Sequence, residues 1–193
     1  MTSTVPREWL KYKYLSPRKI LLGLREAELS LPLHELHPKA ATLRTRGLRQ
    51  FLEGRQAALF SYGMGTILGT DVLFAQVENQ DYDIICKFST NGGTNYVPVQ
   101  LKELVPDTFP NAQTLQNEIN KLSKYVDSAD LTVAFHLNRR AHLNFSELVV
   151  PKNTVAAIWL YGALDAKQAR WHLTGNLVGT QGCTYEFEYP TEA

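Results

Sequence analysis

Residues 81–104, DYDIICKFSTNGGTNYVPVQLKEL, read as two strands around a Gly-rich turn, yet Asp83, Gln100 and Lys102 interrupt their apolar runs. Side chains alternate faces along a strand, so polarity assigns the faces before any pairing is assumed. Over 81–88, Ile84, Cys86 and Phe88 form an apolar face and leave Asp83, Ile85 and Lys87 on the other. Over 95–104, Val97, Val99 and Leu101 form the apolar face and leave Pro98, Gln100 and Lys102. If both apolar faces cover one core, Asp83, Gln100 and Lys102 share the opposite side. With residues 91–94 as the loop, Thr90 faces Asn95, Ile85 faces Gln100 and Asp83 faces Lys102. A slip of one residue sets Asp83 against Glu103, a like-charge pair. Pro98 has no N–H to give a ladder and marks an edge or a bulge.

Outward from the hairpin, the chain reads as helix, three-strand meander, helix, strand, strand. Prolines at 6, 17, 32 and 38 permit only short N-terminal helices such as PRKILLGLREAEL. From Ala40 to Met64, Leu43, Leu48, Phe51, Leu52, Ala58 and Leu59 recur at helical spacing and predict a long amphipathic helix. Strands are expected at 71–78, 81–88 and 95–104, and a helix in NAQTLQNEINKLSKYV, where Leu115, Ile119, Leu122 and Tyr125 recur. LTVAFHLN, TVAAIWLYGA and CTYEFEY supply later strands. The pattern predicts an α/β (α+β) domain with a mixed β-sheet flanked by helices. A basic N-terminal helical segment, 1–39, precedes a core of 40–193, within one compact domain overall.

The 193 residues, 44% hydrophobic and 20% charged, suit a globular core. No apolar run reaches the roughly 18 residues of a membrane span, and MTSTVPREWLKYKY lacks a signal peptide's apolar stretch, so a cytoplasmic protein is expected. Cys86 and Cys183 fall within expected strands and read as small core residues. The net charge of +1 is uneven: residues 1–60 carry 11 Lys/Arg against 5 Asp/Glu, and residues 61–193 carry 9 against 14. A basic segment of this kind serves either a polyanion partner or the solvated face of a helix.

The hairpin residues also have two readings. One is a cross-strand salt bridge on a solvated face, contributing at most about 1 kcal/mol. The other is a site for hydrolysis of a phosphodiester. In it, Asp83, the Gln100 side-chain oxygen and the Leu101 carbonyl hold a hard divalent cation, and Lys102 orients a water or stabilises developing charge.

A helix with a glutamate, a strand, a strand with Asp83, and a strand ending in Gln100-Leu101-Lys102 resembles the PD-(D/E)xK, or restriction-endonuclease-like, nuclease superfamily in a QxK variant. The resemblance covers about residues 40–140, with Glu53 in FLEGRQAALF as the first-helix acid. It implies a restriction-endonuclease-like mixed sheet and Mg2+- or Mn2+-dependent cleavage of nucleic acid, DNA before RNA. It further implies catalytic roles for Asp83, Gln100, Lys102 and Glu53, a metal held by Asp83, Gln100 and Leu101, and possible homodimerisation to act on two strands. Gln100 replaces the family's usual acid, and Tyr82 stands where the family has proline. These departures also suit a catalytically inactive relative that binds nucleic acid or protein.

The basic segment offers Lys11, Lys13, Arg44, Arg46, Arg49 and Arg55 to a phosphate backbone, with KYKY at 11–14 interleaving rings for base stacking. Glu78 is a second candidate acid, and Gln116, Lys121 and Lys124 are candidates near the phosphate, although a solvated face is the simpler reading of each. His34 and His37 lack further zinc ligands, and His136 reads as a core histidine. His142 and His172 have no partner pattern, and Arg139-Arg140 suits either an anion clamp or an exposed pair. GMGTILG at 63–69 precedes a strand and is no phosphate loop.

Overall fold

The computed structural model describes residues 5–30, 49–125, 128–139, 147–151, 155–179 and 182–191. Three α-helices occur among them: α1 (Pro17–Ser30), α2 (Arg49–Leu68) and α3 (Leu115–Asn120). The seven strands are β1 (Leu73–Gln76), β2 (Ile84–Thr90), β3 (Gly93–Leu104), β4 (Ser128–Leu137), β5 (Val155–Ala163), β6 (Arg170–Gly175) and β7 (Cys183–Glu188). Sheet order follows chain order, β1 to β7. β1 and β2 are antiparallel, β3–β4 and β4–β5 parallel, and β5–β6 and β6–β7 antiparallel, so the fold is mixed α/β as expected.

The chain divides into two compact units, the first comprising residues 1–77, 84–96 and 189–193 and the second 78–83 and 97–188. The expected boundary at residue 39 lies outside the described residues.

In the first unit α1 packs on α2, and Arg55 joins them through an ion pair to Glu28 (3.1 Å). The Tyr189 hydroxyl donates to the Leu21 carbonyl (2.8 Å), attaching the C-terminal residues to α1. The expected amphipathic helix takes a different form. Gln56, Ala57, Ala58, Leu59, Phe60 and Ser61 are buried in succession, while Phe51, expected in the apolar stripe, is 56% exposed. Over those six residues the helix is enclosed on all sides and has no stripe. Cys86 is buried beside Ser61 (Sγ to Oγ 3.6 Å), where desolvation pushes its thiol up to about 12. Cys183 is exposed on β7, against the expected core position. GMGTILG ends α2, with Gly69 at φ +63° closing the helix.

In the second unit one core cluster contains Leu104, Ile119, Leu122, Val133, Phe135, Ile158 and Leu160. The helix expected over 111–126 is shorter. Thr114 caps it by accepting from the Asn117 N–H (3.1 Å), and after Asn120 the chain tightens into a 3-10 turn, Lys121–Lys124. β6, within ARWHLTG, was absent from the expected elements. Gly175 at its end lies against β5: a Cβ there would stand 2.5 Å from Trp159 Cε3 and 2.9 Å from the Ile158 carbonyl oxygen. Gly175→Ala is therefore expected to lower stability by about 1–3 kcal/mol through overpacking, read as a lower denaturant midpoint.

Candidate functional site

The hairpin differs from its expected register, for a reason visible in the turn. Only Asn91 and Gly92 separate β2 from β3, so Gly93 and Thr94 belong to β3 instead of the loop. That turn sets Thr90 opposite Gly93 and would carry Asp83 to Gln100; the Asp83 N–H donates to the Val99 carbonyl (3.0 Å), one residue further, so Asp83 faces Val99 and not Lys102. Strict alternation also fails in β2, where Ile84, Ile85 and Cys86 are all buried. Pro98 lies on β3, which is interior to the sheet, and not at an edge. It sits one residue before the β3–β4 ladder, which opens at Val99 opposite Thr132, so its missing N–H removes no ladder bond there.

Asp83 nevertheless meets Gln100, by another route than the one expected. Asp83 lies just outside β2, so Leu101 has no strand residue beyond it as a ladder partner. The Asp83 carboxylate takes that place: Oδ2 accepts from the Leu101 N–H (2.7 Å) and from Gln100 Nε2. Leu101 turns its N–H, and therefore its C=O, toward the Asp83 side of β3. Gln100 Nε2 also lies 3.3 Å from the Leu101 carbonyl oxygen. A carboxylate, a side-chain amide and a main-chain carbonyl thus converge within the second unit.

Tyr125, which follows the 3-10 turn, completes the group and was read from the sequence only as a core position. Its hydroxyl donates to Gln100 Oε1 (3.4 Å), and its ring lies 5.9 Å from Lys102 Nζ and 5.0 Å from Lys124 Nζ. Burial raises its phenol pKa, with Asp83 and Asp81 adding to the rise. A buried tyrosine normally directs its hydroxyl to a partner, and that was the available sequence signal. Lys102 is half-buried opposite Phe135 of β4. Burial lowers its pKa first and Lys124 second, while Glu118 and Asp83 oppose the fall.

These groups fit a hard cation by donor chemistry. Carboxylate, amide and carbonyl oxygens are the ligands that Mg2+ and Ca2+ accept. Gln100 turns its nitrogen toward Asp83, and a half-turn of the terminal amide would exchange Nε2 for Oε1 without changing the side chain's shape. The Tyr125 hydroxyl can donate to Oε1 or accept from Nε2, so it tolerates either orientation. Among the described residues no three His, Cys, Asp or Glu side chains gather as a metal site; this one has a single carboxylate.

Glu53 lies on α2 in the first unit, half-buried, whereas Asp83, Gln100 and Lys102 belong to the second. Glu103 faces His136 across β3–β4 and accepts from Asn138 Nδ2 (2.6 Å). Glu78 is exposed, and Lys121 pairs with Glu118 (2.6 Å). Gln116 exchanges hydrogen bonds with the Val149 backbone, 2.9 Å in each direction. Of the proposed phosphate-backbone residues, Lys11 and Lys13 are exposed, and Arg55 is the partner of Glu28. Arg49 opens α2, while Arg44, Arg46, His34, His37, Arg140 and His142 lie outside the described residues. Tyr14 of KYKY bonds to the Trp9 carbonyl (2.8 Å) and packs edge-on to Tyr96 at 6.0 Å, with Lys87 Nζ 5.2 Å from its ring. It is engaged within the first unit.

No family model, curated protein or solved structure matches this chain. No described helix is long and apolar enough to cross a membrane.

Proposed function

We propose that this protein is a Mg2+- or Mn2+-dependent nuclease hydrolysing phosphodiester bonds, with DNA the favoured substrate over RNA, on a restriction-endonuclease-like sheet. The observation that carries the reading is the convergence of Asp83, the Gln100 amide and the Leu101 main chain, with Lys102 two residues along β3. The meander, helix and parallel strand β4 in that order support the fold assignment. A divalent ion bound here supplies Lewis acidity toward a phosphoryl oxygen and lowers the pKa of bound water. Asp83 contributes the negative charge that holds it, and Gln100 and Leu101 contribute neutral oxygens. Lys102 holds its proton less tightly than an exposed lysine, which suits it to orienting a water and exchanging a proton with it.

One observation favours a second reading, an inactive relative that binds nucleic acid or protein. The Asp83 carboxylate already serves the hairpin by accepting from the Leu101 N–H, a structural duty that requires no metal. Calorimetric titration with MgCl2 and MnCl2, alongside incubation with supercoiled plasmid, linear duplex, single strands and RNA, separates the two. Metal binding with cleavage of any substrate is the expected result. Absence of both would leave the second reading.

A further inference from the structure

Two ammonium groups converge on one ring beside Asp83 and Gln100. Lys102 reaches it from β3 and Lys124 from the 3-10 turn, and their Nζ atoms lie 5.9 Å and 5.0 Å from the ring centroid of Tyr125. Tyr125 is held from both ends: its N–H donates to the Leu122 carbonyl (2.9 Å) and its hydroxyl to Gln100 Oε1 (3.4 Å). Gln100 and Lys102, two residues apart on β3, project from one face of the sheet and meet the tyrosine together. Lys124 exerts the strongest charge effect on Lys102, ahead of Glu118, Asp83 and Lys121, so the two ammonium groups are close neighbours.

Like charges side by side repel, a cost that an adjacent acid would offset. Lys121 has such a partner in Glu118 (2.6 Å). Among the described residues neither Lys102 nor Lys124 forms an ion pair or a hydrogen bond. Asp83 directs its Oδ2 to the Leu101 N–H and to Gln100. Lys102 is half-buried and Lys124 exposed, so the pair is open to an anion from solvent, and each ammonium offers three donors.

An internal phosphodiester carries one negative charge, and hydrolysis adds to it. The water oxygen bonds to phosphorus, and one P–O ester bond breaks with its electron pair going to the departing oxygen. That oxygen leaves as an alcohol with one water proton. The other water proton is released at neutral pH, because the monoester's second pKa is about 6, and the product carries about −1.5 to −2.

We propose that Lys102 and Lys124 hold the scissile phosphate between them, Lys124 meeting the second negative charge, so that the site binds the product monoester more tightly than a diester. That this phosphate is the scissile one rests on the nuclease reading above. The product keeps its phosphate on the 5′ or the 3′ oxygen, according to which ester bond breaks.

The test is run in EDTA at neutral pH and constant ionic strength, so that it does not depend on metal binding or cleavage. Wild type, Lys124→Met, Lys124→Arg and Lys121→Met are titrated by calorimetry with thymidine 5′-monophosphate, thymidine 3′-monophosphate and the diester-linked dithymidine, each to about 10 mM. Their folding is checked by circular dichroism. At least one monophosphate is expected to bind wild type about tenfold more tightly than the diester does. Lys124→Met should weaken that monophosphate about tenfold and the diester little, whereas Lys124→Arg should retain most of the affinity. Lys121→Met should bind as wild type does. No monophosphate binding to wild type, or equal binding to wild type and Lys124→Met, overturns the proposal. An equal loss in Lys121→Met also overturns it, because the effect would then belong to general surface charge. Tighter binding of the 5′- or the 3′-monophosphate assigns the ester bond that breaks. Monophosphate binding lost in Lys124→Met, without plasmid cleavage, would retain the two-lysine site and reject the nuclease. Cleavage by wild type with unchanged monophosphate binding in Lys124→Met would do the reverse.

Discussion

Asp83→Ala is expected to abolish metal-dependent cleavage, a loss of roughly 10³-fold if the cation contributes several kcal/mol to the transition state. It is also expected to destabilise the fold. Oδ2 accepts from the Leu101 N–H and from Gln100 Nε2, and alanine leaves both donors without that acceptor. The cost of one such donor is about 1–3 kcal/mol where water does not replace the partner. Loss of activity in Asp83→Ala alone would therefore not separate a metal ligand from a ladder cap. Asp83→Asn separates them. Its amide oxygen can still accept from Leu101, so the denaturant midpoint should stay closer to wild type than in the alanine variant. The negative charge for the cation is gone, so cleavage and Mg2+ affinity should fall as in the alanine variant. Wild-type turnover in Asp83→Asn would reduce Asp83 to its structural duty.

The proximity of Asp83 to Gln100 was legible in the sequence, although the two meet by another route than a shared strand face. Period two required each strand to keep a polar face and a buried face. β2 instead buries three consecutive residues, Ile84 to Cys86, and the turn contains two residues instead of four. Asp83 reaches its partners because it lies outside the regular strand, a local departure that no alternation rule encodes. The bounding prolines located α1 and helical spacing most of α2, but apolar positions alone did not show that Gln56 and Ser61 would be enclosed with their neighbours. β6 alternates Trp171 and Leu173 with His172 and Thr174; only its pairing with β5 and β7 makes those six residues a strand. Tyr125 had the spacing of a core residue, and its link to Gln100 depends on a contact 25 residues away in sequence.

Lys102→Met is expected to abolish cleavage while leaving the protein as stable as wild type, or more so, at neutral pH. Lys102 occupies the same sheet face as Phe135 and Leu104, with its ammonium near the Tyr125 ring and the charge of Lys124. Burial and Lys124 outweigh the attraction of Glu118 and Asp83, so the folded state binds this proton less tightly than the unfolded chain. At pH 7 both states are protonated and the full cost of the half-buried charge is present. As pH rises from the lowered pKa toward the ordinary 10.5, the folded state loses the proton first and that cost disappears, so wild-type stability gains from this group. Methionine carries no such cost, and the stability difference between variant and wild type should narrow across that alkaline window. Chemical denaturation at pH 7 and across the window measures it. A loss of several kcal/mol at pH 7 would instead make Lys102 the structural partner of an acid and remove the case for its chemistry. Lys102→Arg then identifies what that chemistry needs. Arginine keeps the positive charge but does not release its proton. Partial activity would assign charge stabilisation to Lys102, and inactivity with intact Mg2+ binding would assign proton exchange with the attacking water.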